Sequence, residues 1–218
     1  MLFQDRKDAG CKLSEMLSSL PDLANAVVLG LTRGGVPVAY EIARTHRLPL
    51  DILVVLKLGA PGQRELAVGA VAKGVLTVNP EIVRVLRLSD EWIQAAAERA
   101  SAEIASLEAL YRGSYPPIET AGRTVILVDD GLATGASMRA AARSVRPLAR
   151  QVVVAVPVAS ARICRDLEAE ADHIFVLATP ENFEAVGQVY RNFAATSNDE
   201  VRNLLADARH MESAKPAA

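Results

Sequence analysis

The chain has 218 residues, of which 50% are hydrophobic and 4% aromatic, and a formal net charge of −2. This length allows one large domain, and a charge near zero without a basic block argues against a general nucleic-acid binder. Two isolated cysteines, three scattered histidines, no apolar run of ~18 residues and a charged start predict a cytoplasmic protein without disulfides, zinc, secretory signal or membrane span.

Short apolar runs alternate with helical patterns along the chain. Strands are predicted at 26–31, 50–56, 123–129, 151–156 and 173–178, and helices at 36–47, 136–147 and 160–170. Near-continuous Val, Ile and Leu runs separated by helices are typical of a parallel sheet covered on both faces. The sequence therefore predicts an α/β fold with a Rossmann-like central parallel sheet, in which ligands bind at the carboxyl ends of the strands.

A different pattern separates the second and third strands. Runs of β type around Lys73-Gly74 predict a hairpin over 66–78. Ser89 is a candidate N-cap for a long helix to about Arg112. The helix has one apolar stripe, which predicts core packing, with a homodimer interface as the alternative. Its members are Ile93, Ala97, Ala100, Ile104, Leu107 and Tyr111.

A last helix is predicted to begin near Asn198. We expect a single domain over 1–208, with a core at about 25–180 and flanking segments at both ends. A disordered tail is expected over 209–218 because its composition is small and polar.

The most informative segment runs from Val125 to Ser137, where a predicted strand leads directly into the carboxylates of Asp129 and Asp130. Carboxylates accept hydrogen bonds from hydroxyl groups or lie near Mg²⁺. A turn at the start of a helix follows, and its free N–H groups and the helix dipole favour phosphate. A sugar phosphate satisfies both halves. The turn residues are Gly131, Ala133, Thr134, Gly135, Ala136 and Ser137.

Two further segments are predicted at the same edge of the sheet. Arg33, Gly34 and Gly35 follow the first strand, where a guanidinium suits phosphate oxygens and glycines allow close approach. The alternative is an ordinary turn with a surface arginine. Lys57 is predicted to end the second strand and to point toward the same ligand.

Further candidate ligand contacts lie in a loop and in an aromatic segment. Residues 58–65 contain two glycines and one proline, which predicts a mobile loop that closes over the site. Arg64 and Glu65 of this loop are either contacts of the closed state or incidental charges. Phe183 belongs to an aromatic group that either stacks a base, as a hood, or forms a small satellite core.

These motifs resemble those of the type I phosphoribosyltransferases, and the phosphate loop is similar to that of the adenine enzymes. The order of the parts resembles a stand-alone bacterial group of this family. The resemblance implies transfer from phosphoribosyl diphosphate (PRPP) to a nitrogen acceptor, with pyrophosphate release. Asp129 and Asp130 would bind the ribose hydroxyls, residues 133–137 the 5-phosphate, and Arg33 to Gly35 with Lys57 the diphosphate.

The resemblance also implies further features of the protein. It predicts a small hood, a flexible β-hairpin loop, a diphosphate loop that often contains a cis peptide, and a place in nucleotide metabolism. Mg²⁺ is the implied cofactor and would enter with PRPP, near Asp129. Asp129, Asp130, Lys57 and Arg33 are the catalytic candidates.

The acceptor and the type of activity stay open. Ala133 stands where enzymes for hypoxanthine and guanine carry an acid that contacts the base, so that specificity is not expected. Two alternatives fit the same fold. One is a regulator that senses PRPP or a nucleotide without catalysis, and the other is a hydrolase of a phosphorylated sugar.

Overall fold

The computed structural model describes residues 2–213, without the side chains of 64, 65 and 213. Eight strands and seven α-helices lie in this part of the chain, with short 3₁₀ turns at Leu23–Asn25 and Val186–Val189. In chain order they are α1 (Arg6–Leu17), β1 (Ala26–Leu31), α2 (Gly35–His46), β2 (Leu50–Leu53), β3 (Val55–Ala60), β4 (Gln63–Ala72), β5 (Val75–Val78), α3 (Pro80–Leu86), α4 (Asp90–Arg112), β6 (Thr124–Val128), α5 (Ala136–Val145), β7 (Gln151–Val158), α6 (Ala161–Leu167), β8 (His173–Ala178) and α7 (Asn198–Ser213).

The main sheet has the strand order β2-β1-β6-β7-β8, and every pairing in it is parallel. Alternate residues of β6 enter two separate cores: Ile126 packs with α1, α2 and α7 on one face, and Leu127 packs with α5 and α6 on the other. Because both faces are buried, the strands are apolar throughout rather than alternating. The predicted parallel α/β sheet is confirmed.

A second, antiparallel sheet has the order β3-β4-β5. The predicted hairpin is confirmed, and its turn residues Lys73 and Gly74 have φ values of 48° and 77°, as a tight hairpin turn requires. The prediction of one strand over 50–56 is wrong, because the backbone changes partner at the buried residue Val54. Lys57 therefore lies in β3, opposite Ala70, and not at the end of a core strand.

The segment predicted as an open loop over 58–65 consists mostly of paired strand. β3 continues to Ala60 and β4 begins at Gln63, so that the turn between them is short. The antiparallel pairing shifts register between Leu58 and Ala60, which is typical of a bulge that bends a hairpin. The side chains of residues 64 and 65 lie outside the described part of the structure.

Several helical segments differ from the sequence prediction. α1 was not predicted, although Asp5 caps it by accepting a hydrogen bond from the Asp8 N–H. α3 was also not predicted; it begins at Pro80, and Asn79 is its N-cap. α7 extends through residues 209–213, where the sequence predicts a disordered tail, and residues 214–218 lie outside the described residues. Between residues 2 and 213, no helix is long and apolar enough to cross a membrane.

The predicted stripe of α4 packs in the core, where Ile93, Ala97 and Ile104 are at most 9% exposed. A buried ion pair fixes the end of this helix against β2. Nε of Arg112 lies 2.9 Å from Oδ1 of Asp51. The Asp51 carboxylate also accepts hydrogen bonds from the backbone N–H groups of Ile52 and Ile118. The core interpretation of the stripe is confirmed.

We predict that Asp51→Ala lowers the free energy of unfolding by about 3 kcal/mol, the lower end of the range for a broken buried pair, because Arg112 loses its buried partner and keeps only the more exposed carboxylate of Glu108. Urea denaturation measures this change. Arg150→Ala is the matched control, since its ion pair with Asp22 is exposed, and such pairs contribute less than ~1 kcal/mol. Equal effects of the two substitutions would contradict the assigned role of the Asp51–Arg112 pair.

Candidate active site

Asp129 and Asp130 follow the last residue of β6, the central strand of the main sheet. Val128 pairs with Gly30 of β1 and with Ala155 of β7, so the carboxylates emerge between the ends of both neighbours. The side chains are partly buried. Oδ1 of Asp129 accepts the N–H of Asp130 at 2.9 Å, which orients the first carboxylate. The pair thus lies at the carboxyl edge, as predicted.

The turn after this pair leads into α5, so it lies at the start of a helix, as the sequence predicted. Leu132 is held to β7 by a hydrogen bond from its N–H to the Val158 carbonyl at 2.9 Å. Gly135 precedes α5 with φ 70°, a left-handed conformation that favours glycine. The N–H of Ala136 lies 3.5 Å from Oγ1 of Thr134. The turn ends in the first turn of a helix, whose N–H groups are available to a ligand.

A cavity of about 220 Å³ joins this turn to Asp129, and Asp130 is not among the described residues that line it. Its walls include Asp129, the whole predicted turn and Val186, from the segment after β8. Lys57 reaches the same cavity from β3, although it does not lie on the strand predicted for it. The lining residues are Lys57, Asp129, Gly131, Leu132, Ala133, Thr134, Gly135, Ala136, Ser137, Met138 and Val186.

The loop after β1 lies beside the acidic pair. Its peptide bond between Thr32 and Arg33 is cis. Gly34 and Gly35 are packed so closely that a side chain at Gly34 would overlap the Asp130 carboxylate, and one at Gly35 would overlap the Val128 carbonyl. Glycine is therefore required for the loop to approach β6.

The Arg33 side chain is exposed and lies toward α7. Its Nη1 is 3.5 Å from Oδ1 of Asn198. The same oxygen accepts a hydrogen bond from the Tyr111 hydroxyl at 2.9 Å. The Arg33 guanidinium therefore lies at the edge of the site and does not line the 220 Å³ cavity.

The sequence analysis missed Arg6, which forms an ion pair with Asp130. Nη2 of Arg6 lies 2.7 Å from Oδ2 of Asp130, and the two side chains are 12% and 13% exposed. The Tyr190 hydroxyl donates to the backbone carbonyl of Asp130 at 2.7 Å. Arg6 belongs to no local motif and lies 124 residues from Asp130 along the chain, so the sequence carried no signal for it. Tyr190 belongs to the aromatic segment singled out from the sequence, but its contact with Asp130 was not predicted.

The aromatic group after β8 forms the satellite core that was one of the two predicted alternatives. Tyr190 is 1% exposed and packs with Phe3, and its ring stacks on Phe193 with 5.1 Å between centroids. Phe183 packs against the same cluster and is partly buried. The sequence could not distinguish this packing from a hood because both uses need aromatic rings.

Burial shapes the electrostatics of the acidic pair. It raises the pKa of Asp129 well above its usual value, the negative charge of Asp130 raises it further, and Arg6 and Lys57 oppose the rise. Burial also raises the pKa of Asp130, and Arg6 opposes this shift by charge and hydrogen bonding. The site therefore holds two negative charges at a cost, which a cationic or hydroxyl-bearing ligand would reduce.

We predict that Asp129→Asn increases the free energy of unfolding at neutral pH by about 1 kcal/mol. A carboxyl with a raised folded-state pKa binds protons more tightly when folded, so wild-type stability falls as pH rises from the usual Asp range through the raised pKa. The amide removes this fall and keeps an oxygen for the Asp130 N–H.

Urea denaturation between about pH 5 and about pH 8 tests the prediction. Asp166→Asn is the matched control because the Asp166 side chain is 45% exposed, and we expect it to leave the pH dependence unchanged. A variant at Asp129 that is less stable than wild type across this range would contradict the assigned electrostatic cost.

Comparison with known proteins assigns the chain to a family. The sequence model described as the phosphoribosyl transferase domain matches residues 9–194. Two curated Mycobacterium tuberculosis proteins, each named a putative phosphoribosyl transferase, are 44% identical over 219 residues and match the whole chain, which spans about half (49%) of their length.

Solved structures share the fold of this chain. The crystal structure of TT1426 from Thermus thermophilus is 41% identical, with a TM-score of 0.81 over 95% of this chain and 99% of that one. The AQ2163 protein from Aquifex aeolicus, 12% identical, shares the fold with a TM-score of 0.50 over 92% of this chain and 83% of its own. The chain belongs to the phosphoribosyl transferase domain family.

Proposed function

We propose that the chain is a phosphoribosyltransferase that uses Mg²⁺-PRPP as donor, transfers the ribosyl phosphate to a nitrogen acceptor and releases pyrophosphate. One observation carries the proposal: a single cavity joins Asp129 to the turn at the start of α5. A ligand that fills it needs hydroxyl groups at one end and a phosphate at the other. The 5-phosphoribosyl group has both.

The ribose and its phosphate use opposite ends of this cavity. The carboxylates of Asp129 and Asp130 accept hydrogen bonds from the ribose hydroxyls, and charge-assisted bonds of this kind are strong. The phosphate receives N–H groups from residues 133–137 and hydroxyl groups from Thr134 and Ser137. The positive end of the α5 dipole stabilises its charge.

The diphosphate extends from the ribose toward Lys57 and the loop after β1. Lys57 lines the same cavity, and its ammonium supplies a positive charge. Gly34 and Gly35 bring backbone close to Asp130 and Val128, so a ligand oxygen can approach the loop that Arg33 begins. These groups hold the leaving group in position.

The reaction replaces one bond at C1 of the ribose with another. The C1–O bond breaks and its electron pair leaves with pyrophosphate, while a lone pair of the acceptor nitrogen forms the new C1–N bond. Positive charge builds on the sugar in between. The partly buried carboxylates have the right sign to stabilise it, so the protein acts mainly by positioning and electrostatics.

The residues present fit a magnesium ion that arrives with the substrate. In the described part of the chain, no group of three or more His, Cys, Asp or Glu side chains could hold a metal, and Mg²⁺ commonly binds through substrate phosphates and water. The ion, when bound, neutralises the diphosphate. The chain contributes the charge of Lys57 to the same leaving group.

The acceptor is proposed only as a class, a nucleobase or a related nitrogen compound. Ala133 leaves no carboxylate at that point of the cavity wall, which argues against a hypoxanthine or guanine contact there. Cys11 and Cys164 are free thiols, and we propose a cytoplasmic location, where thiols stay reduced.

We predict that PRPP binds the wild-type chain in a Mg²⁺-dependent manner and that Asp130→Ala weakens this binding by about 10-fold to 100-fold, the range of a lost hydrogen bond to a charged group. Isothermal titration calorimetry with and without Mg²⁺ measures both affinities. Asp166→Ala is the matched control, since Asp166 is half exposed on α6.

Product analysis then separates the possible activities. Pyrophosphate released only with a nitrogen base supports the transferase. Binding without turnover supports a PRPP sensor, and ribose 5-phosphate formed with water alone supports a hydrolase. A wild-type chain that does not bind PRPP contradicts the proposed site.

We predict that Lys57→Ala weakens PRPP binding by about tenfold and changes ribose 5-phosphate binding by less than about twofold, because only PRPP carries the diphosphate. Calorimetry with the two ligands measures the difference. Lys73→Ala is the control on the same hairpin sheet, since its Nζ lies 3.4 Å from Oγ1 of Thr120. An equal loss for both ligands would contradict the assignment of Lys57 to the diphosphate.

A further inference from the structure

Arg6 of α1 connects the acidic pair to the segment after β8. Its Nε and Nη2 lie 2.8 Å and 2.7 Å from the same oxygen, Oδ2 of Asp130. Its Nη1 donates to the backbone carbonyl of Ala194 at 2.6 Å. One guanidinium therefore binds a carboxylate at the end of β6 and a backbone group from the opposite end of the chain.

The guanidinium is enclosed as well as bonded. The ring of Phe193 lies over it, with 4.1 Å from Cζ to the ring centroid. Tyr190 also stacks on that ring, and its hydroxyl donates a hydrogen bond to the Asp130 carbonyl. Such packing fixes the Arg6 side chain in one position before any ligand arrives.

The Asp130 carboxylate is confined on a second side by the loop after β1. A Cβ at Gly34 would overlap Oδ2 of Asp130, so the loop backbone closes that direction. The other oxygen, Oδ1, accepts no hydrogen bond from another residue in the described part of the chain. The charged and titratable groups that face this carboxylate are Arg6, Asp129 and Tyr190.

We propose that Arg6 is a positioning residue for ribose recognition: it holds Asp130 by Oδ2 and leaves Oδ1 to accept a hydrogen bond from a ribose hydroxyl. This inference rests on the proposed function. Without Arg6, the Asp130 carboxylate would lie beside the charge of Asp129 with no cation bonded to it, and like charges repel. It would turn away from Asp129 and lose its alignment.

The predicted effect is specific to the sugar. Inorganic phosphate binds the turn at 133–137 and does not need Asp130, whereas ribose 5-phosphate needs both. Arg6→Gln should therefore weaken ribose 5-phosphate binding about tenfold and change phosphate binding by less than about twofold. Arg6→Lys keeps the charge but loses the fork, so we expect an intermediate affinity.

The experiment measures the affinities of both ligands by calorimetry for wild type, Arg6→Gln, Arg6→Lys, Asp130→Asn and the double variant Arg6→Gln/Asp130→Asn. If Arg6 acts through Asp130, Arg6→Gln causes no further loss in the Asp130→Asn background. Arg150→Gln is the matched control, because Arg150 binds an aspartate on the surface. Thermal unfolding checks that each variant is folded.

The outcomes are distinguishable. Equal losses for phosphate and ribose 5-phosphate would show that Arg6 only supports the fold, and a loss that persists in the Asp130→Asn background would show that Arg6 contacts the ligand itself. Either overturns the proposal, as does wild-type ribose 5-phosphate binding that Arg6→Gln leaves intact. A wild-type chain that binds no ribose 5-phosphate overturns the proposed function and this inference together.

Discussion

Two adjacent carboxylates at the end of the central strand carry an electrostatic cost that the surrounding structure has to offset. β6 is buried on both faces, so Asp129 and Asp130 leave it close to each other in a poorly hydrated place. Positive groups lie near the pair. The charges of Arg6 and Lys57 lower the pKa of Asp129, and the first residues of α5 line the same cavity as Asp129. A site arranged in this way is complementary to a ligand that carries both hydroxyl groups and phosphate.

This constraint explains why both ends of the chain meet at the site. The bridge between Phe3 and Tyr190 pairs the N-terminal segment with the one after β8, and Arg6 then spans from that pairing to Asp130. The parallel sheet alone positions the backbone of the acidic pair but not its side chains. The Asp130 side chain is bonded to Arg6 of α1, and α1 packs on α2 through Leu13, with Gly10 close to the backbone of Val38.

The sequence predicted what local pattern determines, and it missed what distant contacts determine. Doubly buried strands appear as uninterrupted apolar runs, and the turn from Gly131 to Ser137 combines Gly, Thr and Ser directly before a helical pattern, so both could be located. The break at Val54 could not, because a strand that changes partners inside an apolar run leaves no polar residue or turn signal. The ion pair between Arg6 and Asp130 spans most of the chain, and only the fold brings them together.

The break at Val54 also divides the residues of the site between two sheets. The acidic pair and the phosphate turn follow β6 of the main sheet, in which β1, β2 and β6 are buried throughout. Lys57 belongs to a small sheet whose last strand, β5, is only half-buried and whose contact with α5 uses small side chains such as Ala70 and Ala140. β3 and β4 nonetheless carry buried side chains, and Leu58 and Val71 enter the same core as α2 and β6. The cation proposed for the leaving group is thus held by the second sheet, while the groups proposed for the ribose phosphate follow a strand of the main sheet.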